Sequence, residues 1–258
     1  MLHNKALISL FTKWDMNLTI DIGNSRVKIY LFTDGDHFEK WYYGPAGEAN
    51  PGRIFHNYPE VHKGVLVNTG TIPDGWLSLL KKKLKRFIIL GPDTPIPVEN
   101  RYRSKETLGY DRVAAVVGAH YLFPDKNVLV VDAGTAITCD LVTSGGIYLG
   151  GTISPGIMMR FRALASFTSK LPEVHPEKTF SMLGDDTPSA IISGVEGGIL
   201  AEVDGMIDRL KKDYTPLVTI ITGGDADFFD KNLKNSIFVR PDLVATGLNR
   251  ILEFNEAI

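Results

Sequence analysis

Leu18-Thr19-Ile20-Asp21-Ile22-Gly23-Asn24-Ser25-Arg26-Val27-Lys28 is the stretch on which the fold turns. Leu18–Asp21 reads as a β-strand and the Gly-Asn pair as a turn. Arg26–Phe32 reads as a second strand, with Val27, Ile29 and Leu31 on one face and Lys28 and Tyr30 on the other. Asp34-Gly35-Asp36 is a hairpin turn, and Phe38–Tyr43 a third strand. The pattern returns at Asp132. Val128–Val131 is apolar throughout, Asp132-Ala133-Gly134-Thr135-Ala136 turns, and Ile137–Val142 alternates. Ser144-Gly145-Gly146 turns again and Tyr148–Ile153 continues. Two copies of one hairpin unit, each followed by helices, predict two similar α/β domains facing each other.

Working outward, Val65–Val67 and Phe87–Leu90 are short strands of the buried type, and Trp76–Lys85 is a helix with a basic outer face. Pro92, Pro95 and Pro97 mark a loop. Gly109–Leu122 is a helix with Val113, Val116, Val117 and His120 on one stripe. Val218–Thr222 is a further strand, ending in Gly223-Gly224, where a backbone without side chains could let an adenosine lie close.

Phosphate chemistry needs close backbone approach, which glycine permits. Gly23 and Gly134 each sit where successive N–H groups can converge on an anion. Asn24, Ser25, Thr135 and Thr138 add donors, and Arg26 and Lys28 add positive charge. Asp21 and Asp132 would repel a phosphate unless a cation lay between, so Mg²⁺ at one and a second cation at the other follow. A single such turn between strands is ordinary; its duplication favours the phosphate reading. Asp111, near the start of a helix, is stabilised as the anion there and is read either as a cap or as a base. With Arg112 beside it, a carboxylate can take a hydroxyl proton while the guanidinium holds an anionic part of the acceptor.

Composition narrows the field. The chain has 258 residues, 28 Lys and Arg against 30 Asp and Glu, and a net charge of −2, which argues against nucleic-acid binding through bulk positive charge. Its one cysteine, Cys139, excludes an intrachain disulfide and a cysteine zinc cluster. No apolar run is long enough to span a bilayer, and Ala6–Phe11 is too short for a signal peptide, so a cytoplasmic location is expected. Met16 stands directly before the first strand, so residues 1–15 are expected to be an N-terminal extension outside the native domain. Lys81–Arg86 reads as a solvated helix face, Cys139 as a small core residue, and Met158 and Met159 as packing or dimer contacts. The histidines form no metal motif, and no P-loop segment is present.

At these residues the chain resembles the type III pantothenate kinases of the actin-like ATPase and sugar-kinase superfamily. The resemblance covers nearly all of residues 16–258. It is carried in order by Asp21–Ser25, Gly109–Arg112, Asp132–Ala136, Gly150–Gly156, Lys170-Leu171-Pro172, Thr187–Gly194 and Thr222-Gly223-Gly224. It implies an α/β chain of two duplicated ribonuclease H-like domains, the actin-like ATPase fold, over residues 16–125 and 126–258 with a cleft between them. It also implies ATP-dependent phosphorylation of pantothenate, the first step of coenzyme A biosynthesis. By the resemblance, Asp21, Ile22, Gly23, Asn24, Ser25, Arg26, Val27 and Lys28 hold ATP, with Asp21 reaching Mg²⁺ through the phosphates and Thr135 touching ATP. Asp111 is the general base. Tyr102, Gly109, Tyr110, Asp111 and Arg112 bind pantothenate. Asp132 coordinates a monovalent cation, K⁺ or NH₄⁺, and Thr187 reaches pantothenate from the other subunit of a homodimer. Ser25 departs from the family's usual threonine, keeping the hydroxyl and losing a methyl. A non-catalytic transcription accessory factor of the same fold would lose the base or the phosphate-loop Asp. Another kinase of the superfamily would lack the Tyr102–Arg112 constellation.

Overall fold

The computed structural model describes residues 16–34, 37–177 and 179–258. The expected extension at 1–15 and the tip of the Asp34-Gly35-Asp36 turn lie outside the described residues.

The first sheet is built from β1 (Met16–Ile22), β2 (Val27–Asp34), β3 (His37–Gly44), β4 (Val61–Asn68) and β5 (Arg86–Ile89), in the order β3-β2-β1-β4-β5. β1 pairs antiparallel with β2 and parallel with β4, so it is the central strand, and all seven of its residues are buried. Its sequence alternates, so burial of Asn17, Thr19 and Asp21 along with the apolar residues marks a strand covered on both faces. β2 departs from the expected one-sided pattern. Tyr30 and Phe32 are buried as well as Val27, Ile29 and Leu31, because the Phe38 ring of β3 packs 5.4 Å from Tyr30 and 5.3 Å from Phe32. On the opposite face, α1 (Gly52–Asn57) contributes Ile54, and α2 (Trp76–Lys83) contributes Trp76 and Leu80, one turn apart. Lys81, Lys82 and Lys83 face solvent, as the basic outer face predicts. α2 stops two residues early because Leu84 turns extended and carries the chain into β5.

The second sheet contains β6 (Glu99–Asn100), β7 (Asn127–Ala133), β8 (Ala136–Val142), β9 (Ile147–Pro155), β10 (Leu217–Thr222) and β11 (Phe238–Val239). Its order is β11-β10-β7-β8-β9-β6. Read from the other edge, β9-β8-β7-β10-β11 repeats the arrangement of the first sheet, and β6 is an addition on the β9 edge. The pairings repeat too: β7 is antiparallel to β8 and parallel to β10. The duplication read from two turns therefore extends to the strand order.

Helices α3 (Tyr110–Leu122), α4 (Ile157–Phe167), α5 (Thr187–Ile192), α6 (Gly198–Asp213), α7 (Ala226–Asn232) and α8 (Leu243–Ala257) complete the described elements. A π-helical turn, Ser193–Gly197, joins α5 to α6. α3 has no solvated side along its middle: every residue from Arg112 to Ala119 is buried. The expected stripe of Val113, Val116 and Val117 is buried, and the rest of the middle is buried too because Ala114 and Gly118 accept the α8 backbone. A Cβ at Gly247 would lie 1.7 Å from the Ala114 oxygen, and one at Gly118 would lie 2.5 Å from the Leu243 oxygen. Ile157, Phe161, Ile199, Val203, Ile207 and Phe229, from α4, α6 and α7, close over the other face of the second sheet.

The chain divides into two compact units. One holds the described residues up to Ile96, with Gly109–Asp111 and Leu248–Ile258; the other holds Pro97–Leu108 and Arg112–Gly247. These segments interleave along the chain, whereas the sequence pattern divides it once, after residue 125.

Candidate active site

In the first unit, Asp21 is the penultimate residue of β1, in register with Lys28 of β2 and Val67 of β4. The Lys28 ammonium lies 3.5 Å from the Asp21 carboxylate. Burial raises the Asp21 carboxyl above its ordinary range, and Lys28 opposes that shift. The turn is closed by the Gly23 N–H donating to the Arg26 oxygen at 2.9 Å. The loop after β4 lies flush against it. Thr69 and Gly70 donate their N–H groups to the Ile22 oxygen at 2.9 and 3.2 Å, and a Cβ at Gly70 would lie 2.5 Å from the Gly23 oxygen. Asn24, Ser25 and Arg26 are exposed at the turn, with Arg26 over the Tyr43 ring at 5.0 Å. Ile22 and Val27 bury their side chains in the core, so only their backbones are available to a phosphate.

The second unit repeats this construction. Asp132 is the penultimate residue of β7, in register with Thr138 of β8 and Thr222 of β10. The Gly134 N–H donates to the Ala136 oxygen at 3.1 Å, and Thr135 is exposed at the turn. The loop after β10 closes on it as the loop after β4 does on the first turn. The Asp225 N–H donates to the Ala133 oxygen at 3.0 Å. Gly223, at φ +97°, occupies the left-handed region, and a Cβ there would lie 2.3 Å from the Ala133 oxygen and 2.6 Å from Asp132 Oδ1. Just after β9, at the start of α4, a Cβ at Gly156 would lie 2.3 Å from the Gly134 oxygen. Gly70 was not singled out by sequence reasoning; its signal is a glycine two residues beyond an apolar parallel strand.

Asp111 stands inside the first turn of α3, after Tyr110, rather than in the capping position before it. There the free N–H groups and the helix dipole favour its anion. Asp111, Gly109 and Tyr110 are each half-buried. Arg112 is buried and forms a two-point pair with Asp140 of β8, Nη2 to Oδ1 at 2.6 Å and Nε to Oδ2 at 2.9 Å. Burial disfavours its charge, but the Asp140 hydrogen bonds and charge outweigh this and hold the guanidinium above its ordinary range. Tyr102 lies beside it, its ring centroid 5.5 Å from the Arg112 Cζ. Sequence reasoning missed Asp140, which is one of several carboxylates on alternating strands and carries no local mark. Thr187 opens α5 and is exposed. Asp186 caps that helix, accepting from the Ser189 N–H at 2.8 Å while Ser189 Oγ accepts from the Asp186 N–H at 3.1 Å.

The expected site residues thus sort by unit. Asp21–Lys28 and Gly109–Asp111 belong to the first; Tyr102, Arg112, Asp132, Thr135 and Thr187 belong to the second. Among the described residues, no group of three or more His, Cys, Asp or Glu could cage a metal. A lone carboxylate beside a glycine turn fits Mg²⁺ only with phosphate oxygens and water completing its shell, which is the coordination Mg²⁺ prefers. Asp21 and Asp132 each stand beside such a turn. Cys139 is buried, and burial pushes its thiol up to about 12, in keeping with a core residue.

Two sheets of one strand order, each with an acidic hairpin at its centre, define a protein of the actin-like ATPase and sugar-kinase fold class. A glucokinase from an Antarctic psychrotroph shares the fold with TM-score 0.53 and 12% identity, over 93% of this chain and 99% of its own. A family profile described as Type III pantothenate kinase matches residues 17–209. The chain is 44% identical over 240 residues to a type III pantothenate kinase from Bacteroides fragilis, covering 93% of this chain and 98% of that protein. The chain belongs to the type III pantothenate kinase family. It also matches a crystal structure described as a conserved putative Baf family transcriptional activator from Campylobacter jejuni. The TM-score is 0.58 and the identity 26%, over 93% of this chain and 100% of that one.

Proposed function

We propose that this protein transfers the terminal phosphoryl group of ATP to the primary hydroxyl of pantothenate, giving phosphopantothenate, the first step of coenzyme A biosynthesis. The observation that carries the reading is the duplicated acidic hairpin, Asp21-Ile22-Gly23 and Asp132-Ala133-Gly134, each pressed against a glycine from the loop after the neighbouring parallel strand. Gly23–Lys28 supply backbone N–H groups and positive charge to the phosphates, with Asn24 and Ser25 adding side-chain donors and Thr135 a further hydroxyl. Asp21 holds Mg²⁺ through the phosphates, and Asp132 holds a monovalent cation. When bound, these cations offset phosphate charge. Asp111 accepts the hydroxyl proton as the oxygen bonds to phosphorus and ADP departs. A loose transition state asks little of the base, so a carboxylate suffices. Tyr102, Gly109, Tyr110 and Arg112 orient pantothenate, with Arg112 facing its carboxylate.

Thr187 acts across a homodimer. Its exposure at the start of α5 supports this, as does the apolar groove formed by Pro155, Met159, Ala163, Leu164, Phe167 and Val195, of about 780 Å³. Phe167 is 87% exposed. Two copies meeting there would cover an apolar patch that monomers seldom leave bare. No helix among the described residues is long and apolar enough to cross a membrane. Asp21, Asp111 and Asp132, which a regulatory relative would be free to lose, are all present.

Coupled ADP release with purified protein tests the reading. Turnover is expected only with pantothenate, Mg²⁺ and K⁺ or NH₄⁺ together. Asp111→Asn is expected to lower kcat by about 10²–10⁴-fold with an unchanged melting temperature. Turnover near that of the parent would remove Asp111 as the base.

A further inference from the structure

Arg112 is 6% exposed and Asp140 1% exposed, so both charges are withdrawn from water. Such a pair survives only when its geometry is good and the spare lone pairs are satisfied. Both conditions hold. The Nε–Nη2 edge of Arg112 takes both carboxylate oxygens, and the Tyr148 hydroxyl donates to Asp140 Oδ1 at 2.7 Å. Burial, with the Asp140 carboxylate beside it, keeps the Tyr148 phenol protonated and able to donate. The backbone is shaped around this group. A Cβ at Gly151 would lie 2.6 Å from Asp140 Oδ1, and Gly150, at φ +104°, would bring one to 3.3 Å from the Tyr102 ring. The Tyr102 and Tyr148 rings stack 6.2 Å apart at 14°. The segment bearing Tyr102 is pinned to β9 by the Arg101 N–H donating to the Tyr148 oxygen at 3.0 Å, and the Tyr102 N–H is held by Asn100 Oδ1 at 2.9 Å.

We infer that Asp140 and Tyr148 are positioning residues for recognition of the acceptor's carboxylate. They hold the Arg112 guanidinium by its Nε–Nη2 edge and so fix the direction from which it meets an incoming carboxylate. The inference rests on the kinase reading, in which Arg112 meets that carboxylate. An arginine on a free stem loses rotamer freedom when it grips an anion; one already clamped loses little, which favours binding without touching the phosphoryl-transfer step. Asp140 and Tyr148 should therefore control the KM for an anionic acceptor and not kcat or the KM for ATP. A buried pair serving only to hold the fold would show no preference for charged over neutral acceptors.

The test compares pantothenate with pantothenyl alcohol, in which a hydroxymethyl group replaces the carboxylate, as acceptors for the full-length protein. Asp140→Asn is expected to raise the KM for pantothenate roughly tenfold, leave the KM for ATP within about twofold, and lower the preference for pantothenate over the alcohol by the same roughly tenfold factor. Tyr148→Phe keeps the ring stack and removes one hydrogen bond; it is expected to lower that preference about threefold, and it carries the test if Asp140→Asn does not fold. In an Arg112→Ala background neither change should alter the preference further. Equal losses on both acceptors, or losses in kcat alone, would overturn the inference while leaving the kinase reading intact. A parent protein inactive on both acceptors would overturn the kinase reading, and this inference with it.

Discussion

Asp21 shows how a buried carboxylate loads the fold. Burial raises its carboxyl above the ordinary value of 3.8 even with Lys28 beside it, so the ionised form costs folding free energy. The folded chain then binds the proton more tightly than the unfolded one. Stability falls as pH rises from 3.8 through the raised folded value, and the penalty is absent below 3.8. Asp21→Asn removes the penalty. It is expected to melt at or above the parent's temperature at pH 7, with the gap closing as pH falls below that ordinary value, while phosphoryl transfer is lost. Thermal melts across pH 3–8 check this; a variant less stable than the parent at neutral pH contradicts it. Asp140 accepts from Arg112 and from the Tyr148 hydroxyl, so Asp140→Ala removes the carboxylate that balances a buried guanidinium. The expected cost is about 3–5 kcal/mol in denaturant unfolding.

At the scale of elements, the glycines divide into those that carry contacts and those that carry none. α3 and α8 approach until a Cβ at Gly247 would overlap the Ala114 oxygen. Gly247→Ala should therefore destabilise by about 1–3 kcal/mol or more, because backbone cannot rotate aside as a side chain can. Gly205, on the exposed side of α6, has nothing within 4 Å of its added Cβ. Gly205→Ala should stabilise by about 0.5–1 kcal/mol through helix propensity alone. Urea melts of the two variants separate the cases, and equal effects would contradict the close packing of α3 on α8. The cap of α5 sets where Thr187 emerges. Asp186→Ala should cost about 1 kcal/mol of local stability, read by amide exchange in residues 187–192.

For the whole molecule, the proposed dimer would cover the apolar groove around Phe167. Sedimentation is expected to give twice the 28.5 kDa of one chain. Phe167→Asp should shift the population to single chains and raise the KM for pantothenate, since Thr187 would lose its place across the interface. A fully active single chain would overturn the shared-site reading.

Much of this architecture was open to local reading, because its causes are local. Turn chemistry at Gly23, Gly134 and Gly146, the alternation of β1 and the apolar run of β7 declare themselves within a few residues. α6 was legible in principle, with Ile199, Val203 and Ile207 at helical spacing. It was obscured by Gly194, Gly197, Gly198 and Gly205, which argue locally against helix and are tolerated because tertiary packing overrides propensity. The duplicated acidic hairpins, the α/β class and the absence of a P-loop were settled by the order of residues alone. The partner of Arg112, the glycines that seal each turn, and the burial of every face of α3 were decided only by tertiary structure. Those contacts join residues far apart in the chain, and it is the strand order that brings them within hydrogen-bond distance.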